Sequence, residues 1–513
     1  MKRSRSEYSI INILTGFCGY FINAIIGYIC RIVFVRCLSA EYLGVNGLFT
    51  NILSMLSLAE LGIGSAIGFA LYKPLAKNDT EKIASLMRFY GKAYKIIGCV
   101  VAFFGILMMP FLNIITAQPN IQENLYVIYL MYLFNTASTY FFSYRSALLT
   151  ADQRNYIVIG INYAVTIVQS IIQILVLLGT HNYMAYLAVQ TIGVFVNNVI
   201  VSWRAKKDYP YITQHKVSPL SISEKKSLFT NVKALTINKI GTILVNNTDN
   251  IVLTYFGGLI SVGIVSNYVT LMNMLASLTS QLFNGLTASV GNLNAIESRD
   301  KKFSFFQILN LSNFWIFGWG AIGIAFVSDD VVKLCFGEEY ALGLSIPLIL
   351  ALNFYILGMQ NAIYVYKNTM GLFRYGQHLL LLTAAINLVL DVVLGRSMGI
   401  LGIYLATAIA RITTNVWYEP YAVFRYGLKI SPFYYLKKYF EYIGVLVVTG
   451  GICYFLCSLC QFHIAINVAI KLIICSIIPN CIFYACYHKS KEGQYLIETV
   501  KGIAKKLTNR AHR

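Results

Sequence analysis

Apolar residues fall along this chain in long, nearly uninterrupted runs, not in the alternation of a half-buried strand. A bilayer core about 30 Å thick is crossed by about 20 apolar residues in a helix. Fourteen runs of that kind predict membrane-spanning helices, at 10–34, 43–71, 96–117, 125–149, 156–178, 182–203, 229–256, 259–291, 304–327, 341–366, 376–395, 398–424, 439–460 and 463–487. Leu, Ile, Val and Phe dominate them, with Gly, Ser, Thr and Asn scattered between, the mixture through which helices pack in lipid. Long runs with weak alternation argue against a β-barrel. The first run follows Lys2, Arg3 and Arg5 as a signal peptide would. It is too long for one, and no small-residue cleavage site precedes the second run, so it is expected to be a mature helix.

Composition agrees. Of 513 residues, 57% are hydrophobic and only 12% charged, about half the charge of a soluble domain. This excludes a soluble multidomain enzyme, a disordered chain and a disulfide-stapled secreted domain, and leaves an all-α polytopic membrane protein. The net charge of +20 would point to nucleic acid in a soluble chain; here it marks topology, and no nucleic-acid partner is expected. With the N-terminus inside, alternate connections collect 34 of the 41 Lys and Arg, and the opposite ones hold only Arg36, Lys333 and Arg396. Positive charge stays on the cytoplasmic side, so both termini are expected there. The longest outside connection, near 328–340 with Asp329, Asp330, Glu338 and Glu339, is expected to be a solvated loop.

The longest inside connection, 204–228, carries Lys206, Lys207, Pro210, Pro219, Lys225 and Lys226 and reads as a linker. It divides an N-lobe (1–203, spans one to six) from a C-lobe (229–425, spans seven to twelve). Residues 426–513 add two spans and a basic tail. A shift of 219 residues aligns Ile32-Val33-Phe34 with Ile251-Val252-Leu253, Gly44-Val45 with Gly263-Ile264, and Phe49 with Tyr268. It joins spans one and two to seven and eight, as a six-plus-six duplication requires. With an even number of spans each, the lobes are parallel repeats about an axis along the membrane normal. Their central cavity would open to either side, as in transporters; the rival is a bundle without a cavity.

Four cations remain inside spans: Arg31, Lys239, Arg411 and Lys471. A charge at the bilayer centre costs about 2.5–3.5 kcal/mol on insertion scales, so such residues face a cavity or a partner. Arg31 sits near a span end and has a snorkelling route. Glu60, deep in span two, has none, and is the prime candidate for a proton-titrating or charge-pairing acid. Lys239 and the run Asn246-Asn247-Thr248-Asp249-Asn250 fall in span seven; that run is too polar for a lipid face. Arg411 lies mid-span in span twelve. Lys471 lies outside the repeat, where it snorkels or makes a separate subunit or lipid contact. Asp391, near Arg396, reads equally as an interface pair or as functional. Arg145 and Lys367 read as ordinary inside-end cations. Arg and Lys bind phosphate, so Arg31, Lys239 and Arg411 suit an anionic substrate. Glu60 and Asp249 keep an organic cation open.

No Walker-type phosphate loop is present, and no metal-binding or enzymatic centre is expected. Cys453, Cys457 and Cys460 share one apolar helix, where cysteine is a small hydrophobe. Trp203, Trp315, Trp319 and many Tyr residues lie toward span ends, as an interfacial belt does.

The stretch Leu58-Ala59-Glu60-Leu61-Gly62-Ile63-Gly64-Ser65-Ala66, continuing to Leu71-Tyr72-Lys73-Pro74-Leu75-Ala76 and Asp79, resembles the second helix and following loop of Wzx-type polysaccharide flippases. These belong to the multidrug/oligosaccharidyl-lipid/polysaccharide superfamily. Thr248-Asp249-Asn250-Ile251-Val252-Leu253 and Gly263-Ile264-Val265-Ser266-Asn267-Tyr268 resemble its seventh and eighth helices. The resemblance implies translocation of undecaprenyl-pyrophosphate-linked oligosaccharide for O-antigen, capsule or a similar polymer. It implies a V-shaped cationic cavity, with Arg31, Lys239 and Arg411 as the substrate-binding cations. Glu60, Asp249, Asn246 and Asn250 become candidates for coupling or for polar cavity lining. It implies no cofactor, H+ or Na+ as the coupling ion, and polymerase and export machinery as partners. A lipid II flippase and an ion-coupled multidrug exporter of the same superfamily stay open. A membrane polymerase or ligase would need a larger outside loop.

Overall fold

The structure, a computed structural model, describes residues 5–498 and 501, save 57–69, 72–73, 76, 117–120, 122, 153, 214–218, 373–374, 377 and 461. The side chains of 5–18, of most of 223–247 and of parts of 281–296 also lie outside the description. Among the described residues all regular structure is helical, dominated by fourteen helices of 14 residues or more. They are α1 (Arg5–Cys37), α2 (Ala40–Leu56), α3 (Thr80–Met108), α4 (Leu125–Tyr140), α5 (Asn155–Thr180) and α6 (Tyr183–Asp208). Helix Ile222–Ile296 is broken at Gly258, whose φ of 72° lies outside the helical region, giving α7 (222–257) and α8 (259–296). Then come α9 (Arg299–Phe336), α10 (Ser345–Thr369), α11 (Leu379–Met398) and α12 (Ile400–Thr413). After Thr414 the chain continues as Asn415–Ala422 and a π-turn, Val423–Leu428. The last two are α13 (Phe433–Ser458) and α14 (Ile464–Tyr487). Eleven helices among the described residues are long and apolar enough to cross a membrane, and the chain is a multi-pass membrane protein.

The helix starts are written locally. The Asp79 carboxylate accepts from Lys82 N at 3.0 Å and caps α3; Asn124 and Asn182 cap α4 and α6 in the same way. Each satisfies a backbone donor that the first turn leaves without a partner. Two helices run further than their apolar runs. α3 begins sixteen residues before span 96–117, because its first half is amphipathic: Ile83, Met87, Tyr90 and Tyr94 are buried while Arg88, Lys92 and Lys95 are exposed. α9 runs through Asp329 and Asp330 to Phe336, so the solvated loop expected there is instead helix. The acids are tolerated because each is partnered. Lys471 of α14 bonds Asp330, and Asp329 accepts from Tyr268 Oη at 2.6 Å and pairs with Lys333 at 3.3 Å.

Two compact units divide the chain, Met1–Ile264 and Val265–Arg513. In the first, α1 packs on α5, α5 on α6, and α4 on α3 and α6. The first turns of α8 belong to this unit because they seat on α2, backbone to backbone. A methyl group on Gly44 would lie 2.2 Å from the Leu259 carbonyl oxygen, and one on Gly263 would lie 2.1 Å from that of Ala40. The contact is reciprocal at the offset of 219: 40 meets 263 as 44 meets 259. Such reciprocity is the signature of a local two-fold packing.

In the second unit α9 and α10 are mostly buried, α9 against α10, α13 and α14, and α11 against α12. Outer helices show the opposite pattern. Phe103 and Phe104 on α3, Leu175 and Leu178 on α5, and Phe455 on α13 are all exposed. An apolar exterior of this extent fits a lipid solvent.

Candidate functional site

Polar side chains inside each unit mark where the interior departs from plain helix packing. In the first unit the centre is Asn46 on α2. Its side-chain oxygen accepts from both Tyr132 of α4 and Tyr183 of α6. Tyr42, one turn earlier, donates to Glu123 and packs its ring 4.7 Å from that of Tyr183. Phe34 of α1 closes the cluster, 5.0 Å from Tyr186 and 5.9 Å from Tyr183. Arg31 lies nearly one turn before Phe34 on α1, half-buried and within electrostatic reach of Tyr28 and Tyr186. A guanidinium beside phenol hydroxyls offers donors in a partly water-excluded setting, suited to phosphate oxygens or sugar hydroxyls.

Of the other candidates in this unit, Asp249 and Asn250 are half-buried on α7, two turns before the break at Gly258. The Asn250 carbonyl accepts from the Thr254 hydroxyl at 2.7 Å. Lys239 and Asn246 lie on the helical backbone of α7, with side chains outside the description. Glu60 lies outside the described residues.

The second unit centres on the interruption of α12. Thr414, at φ −122° and ψ −79°, breaks the helix. Arg411 stands one turn before the break, half-buried, and Glu419 one turn after it. Lys367 of α10 donates to both Glu419 oxygens, at 2.8 and 2.6 Å. The pair is enclosed, with side chains 12% and 3% exposed. Tyr364, one turn before Lys367, lies within electrostatic reach of both Arg411 and Glu419. Beside this cluster a polar ladder joins α11 to α12. Thr383 bonds the Thr414 hydroxyl at 2.8 Å and Asn415 at 3.3 Å, and Asn387 donates to Asp391 at 2.9 Å and to Thr407 at 3.4 Å. Asp391 is fully buried whereas Arg396 is exposed.

Sequence reading passed over several of these groups. Lys367, read as an inside-end cation, is a buried ion-pair member, and Glu419 had not been singled out. The four-residue spacing of Thr383, Asn387 and Asp391 in an apolar run is a signal for a buried helix face that was available. In place of the snorkelling, or the subunit or lipid contact, expected of it, Lys471 pairs with Asp330 of α9, and Trp315 of α9 donates to Asn480 of α14 at 2.7 Å. Both fix α14 to α9.

No family model matches the chain. Uncharacterized membrane protein MJ1068 of Methanocaldococcus jannaschii is 22% identical over 99% of this chain and 100% of its own length. Among solved structures, the lipid II flippase MurJ in an inward closed conformation matches at a TM-score of 0.63 and 16% identity, over 92% of this chain and 99% of its own. An inward-facing multidrug resistance MATE family transporter of the MOP superfamily matches at 0.58 and 14% identity, over 79% of this chain and 95% of its own. A MATE transporter of Vibrio cholerae matches at 0.54 and 13% identity, over 82% and 98%. The chain therefore has the MOP-type transporter fold, and its structural neighbours are transporters and flippases.

Proposed function

We propose that the chain is a flippase that moves undecaprenyl-pyrophosphate-linked oligosaccharide repeat units across the cytoplasmic membrane by alternating access, for export of a surface polysaccharide. The observation that carries this reading is extent. The match to the lipid II flippase spans 92% of this chain, against 79% for a multidrug exporter of the same fold. Fourteen long helices, two more than a six-plus-six transporter needs, suit a lipid-linked cargo. The wording of the two sequence motifs around Glu60 and Asp249 favours the polysaccharide group over lipid II.

In this reading Arg31, Lys239 and Arg411 take the pyrophosphate. Arg31 has phenols around it, and Arg411 stands at a helix interruption, the device by which transporters line a site with polar backbone. Asp249 and Glu60 serve as coupling acids for H+ or Na+, with Asn246 and Asn250 as polar cavity lining. Both termini are cytoplasmic, and the polymerase and export machinery take over the cargo.

Deletion of the gene followed by analysis of lipid-linked glycans on the inner face tests the reading. An accumulating oligosaccharide repeat unit is expected. Accumulation of lipid II moves the assignment to that substrate, and altered drug susceptibility without a glycan moves it to multidrug export. Arg31→Gln and Arg411→Gln should each abolish complementation. Glu60→Gln and Asp249→Asn should change the pH or sodium dependence of export, and unchanged export across both removes them as coupling acids.

A further inference from the structure

A separate basic hollow of about 310 Å³ lies in the first unit, at the end of α3 that hydropathy does not see. Its walls carry Arg88, Lys92 and Lys95 of α3, Arg145 and Tyr144 of the turn after α4, and Lys206 of the last turn of α6. The α3 residues recur at four and three positions, so they share one helix face. The hollow is built, not incidental. Arg145 donates to the Ser202 hydroxyl and lies 4.8 Å over the Tyr144 ring, and a methyl group on Gly91 would come 3.1 Å from that ring. Tyr144 thus packs directly on the α3 backbone.

Five cations share this space, and three nearby aspartates are engaged elsewhere. Asp208 takes Arg154 at 2.6 Å and Arg204 at 3.1 Å. Asp152 accepts from Tyr209 Oη at 2.6 Å. Burial, reinforced by that carboxylate, pushes the Tyr209 phenol above its usual range and keeps it a donor. Asp79 caps α3. Glu81 is exposed in the first turn of α3, two turns from Arg88. Among the described residues, Lys92, Lys95 and Lys206 form no ion pair. These three lysines, gathered with no acid paired to them among the described residues, repel one another, and an external anion would complete the arrangement.

The surroundings indicate what carries that anion. Ile96 follows Lys95 directly and is 65% exposed, with Phe103 and Phe104 two turns further along the same helix, 64% and 49% exposed. On α6, Trp203 is exposed one turn before Lys206, with the Lys207 ammonium 5.2 Å over its ring. Exposed tryptophan between an apolar helix face and a basic end marks the membrane–water interface. Basic hollows at that level between spanning helices hold anionic headgroups.

We propose that this hollow binds the phosphate of an anionic phospholipid headgroup, whose acyl chains lie along the Ile96–Phe103 face of α3. The site is independent of the transport reading, since none of the transport candidates lines it. Full-length protein equilibrated with equal amounts of tetraoleoyl cardiolipin, phosphatidylglycerol and phosphatidylcholine, then examined by native mass spectrometry, tests it. The two anionic lipids should be retained in excess over phosphatidylcholine. The excess should fall about fivefold for each lysine removed, the worth of one lysine at an anionic surface, in Lys92→Gln, Lys206→Gln and the triple variant with Lys95→Gln. The matched Lys→Arg triple should retain it. Equal retention of all three lipids by the wild type, or unchanged selectivity in both single variants, overturns the proposal. A thermal shift with inorganic pyrophosphate and none with cardiolipin assigns the hollow to a soluble phosphate and overturns the lipid as its source.

Discussion

The polar interiors of the two units solve one problem by different chemistry. At Asn46 of α2 the first unit uses neutral groups: one amide oxygen serves two tyrosine hydroxyls from two other helices. Around the break in α12 the second uses formal charge, the enclosed Lys367–Glu419 pair, with a ladder of short polar side chains beside it. Neutral hydrogen bonds lose modestly when one partner goes. A buried ion pair loses heavily, because the survivor is an uncompensated charge. The Asn46 cluster should therefore tolerate single changes that the Lys367–Glu419 pair does not.

The strongest way to break that comparison is Glu419→Ala, which leaves Lys367 buried alone. It should cost about 3–5 kcal/mol in thermal or chaotrope unfolding of the detergent-purified protein, and Lys367→Met with Glu419→Leu should recover most of it. Asn46→Leu comes next, at about 2 kcal/mol, with both hydroxyls at the lower end of the about 1–3 kcal/mol that each neutral hydroxyl costs on losing its acceptor. Adding Tyr132→Phe and Tyr183→Phe should return much of that loss. A penalty for Asn46→Leu as large as that of Glu419→Ala would erase the distinction between the units. Gly44→Ala forces a methyl group against the Leu259 carbonyl and should cost about 1–3 kcal/mol by overpacking; Gly47→Ala, whose added carbon would meet only Val262 at 3.6 Å, should cost far less. The smallest effect belongs to Lys438→Ala, which removes a pair with Glu441 on the outside of α13. It should stay below about 1 kcal/mol, and a larger loss would show that charge pairing matters outside the enclosed cluster too.

The fourteen helices were legible because a span in lipid is long and apolar, a demand eleven of the described stretches meet alone. What escaped depends on a partner elsewhere. The amphipathic start of α3 fails a hydropathy window while keeping a helical period. Asp329 and Asp330 look like a loop until Tyr268 and Lys471 are placed beside them. Lys367 looks like a topology marker until Glu419, 52 residues away, folds onto it. Of the site residues, Arg31, Asp249, Asn250 and Arg411 can be located with their side chains, and Lys239 and Asn246 by backbone alone. The phenols around Arg31 come from a neighbouring helix as well as its own, a relation no single run of sequence displays.

The glycine contact between α2 and the start of α8 has a mechanical consequence. Where two helices meet through side chains in register, as α11 and α12 do through Thr383, Asn387 and their partners, sliding means breaking a set of bonds and re-forming them about 5.4 Å along, one turn later. Where they meet backbone on backbone, fewer side chains stand between the helices to be re-seated. The seam at Gly44 and Gly263 sets how closely the two helices approach, where the α11–α12 ladder sets their register.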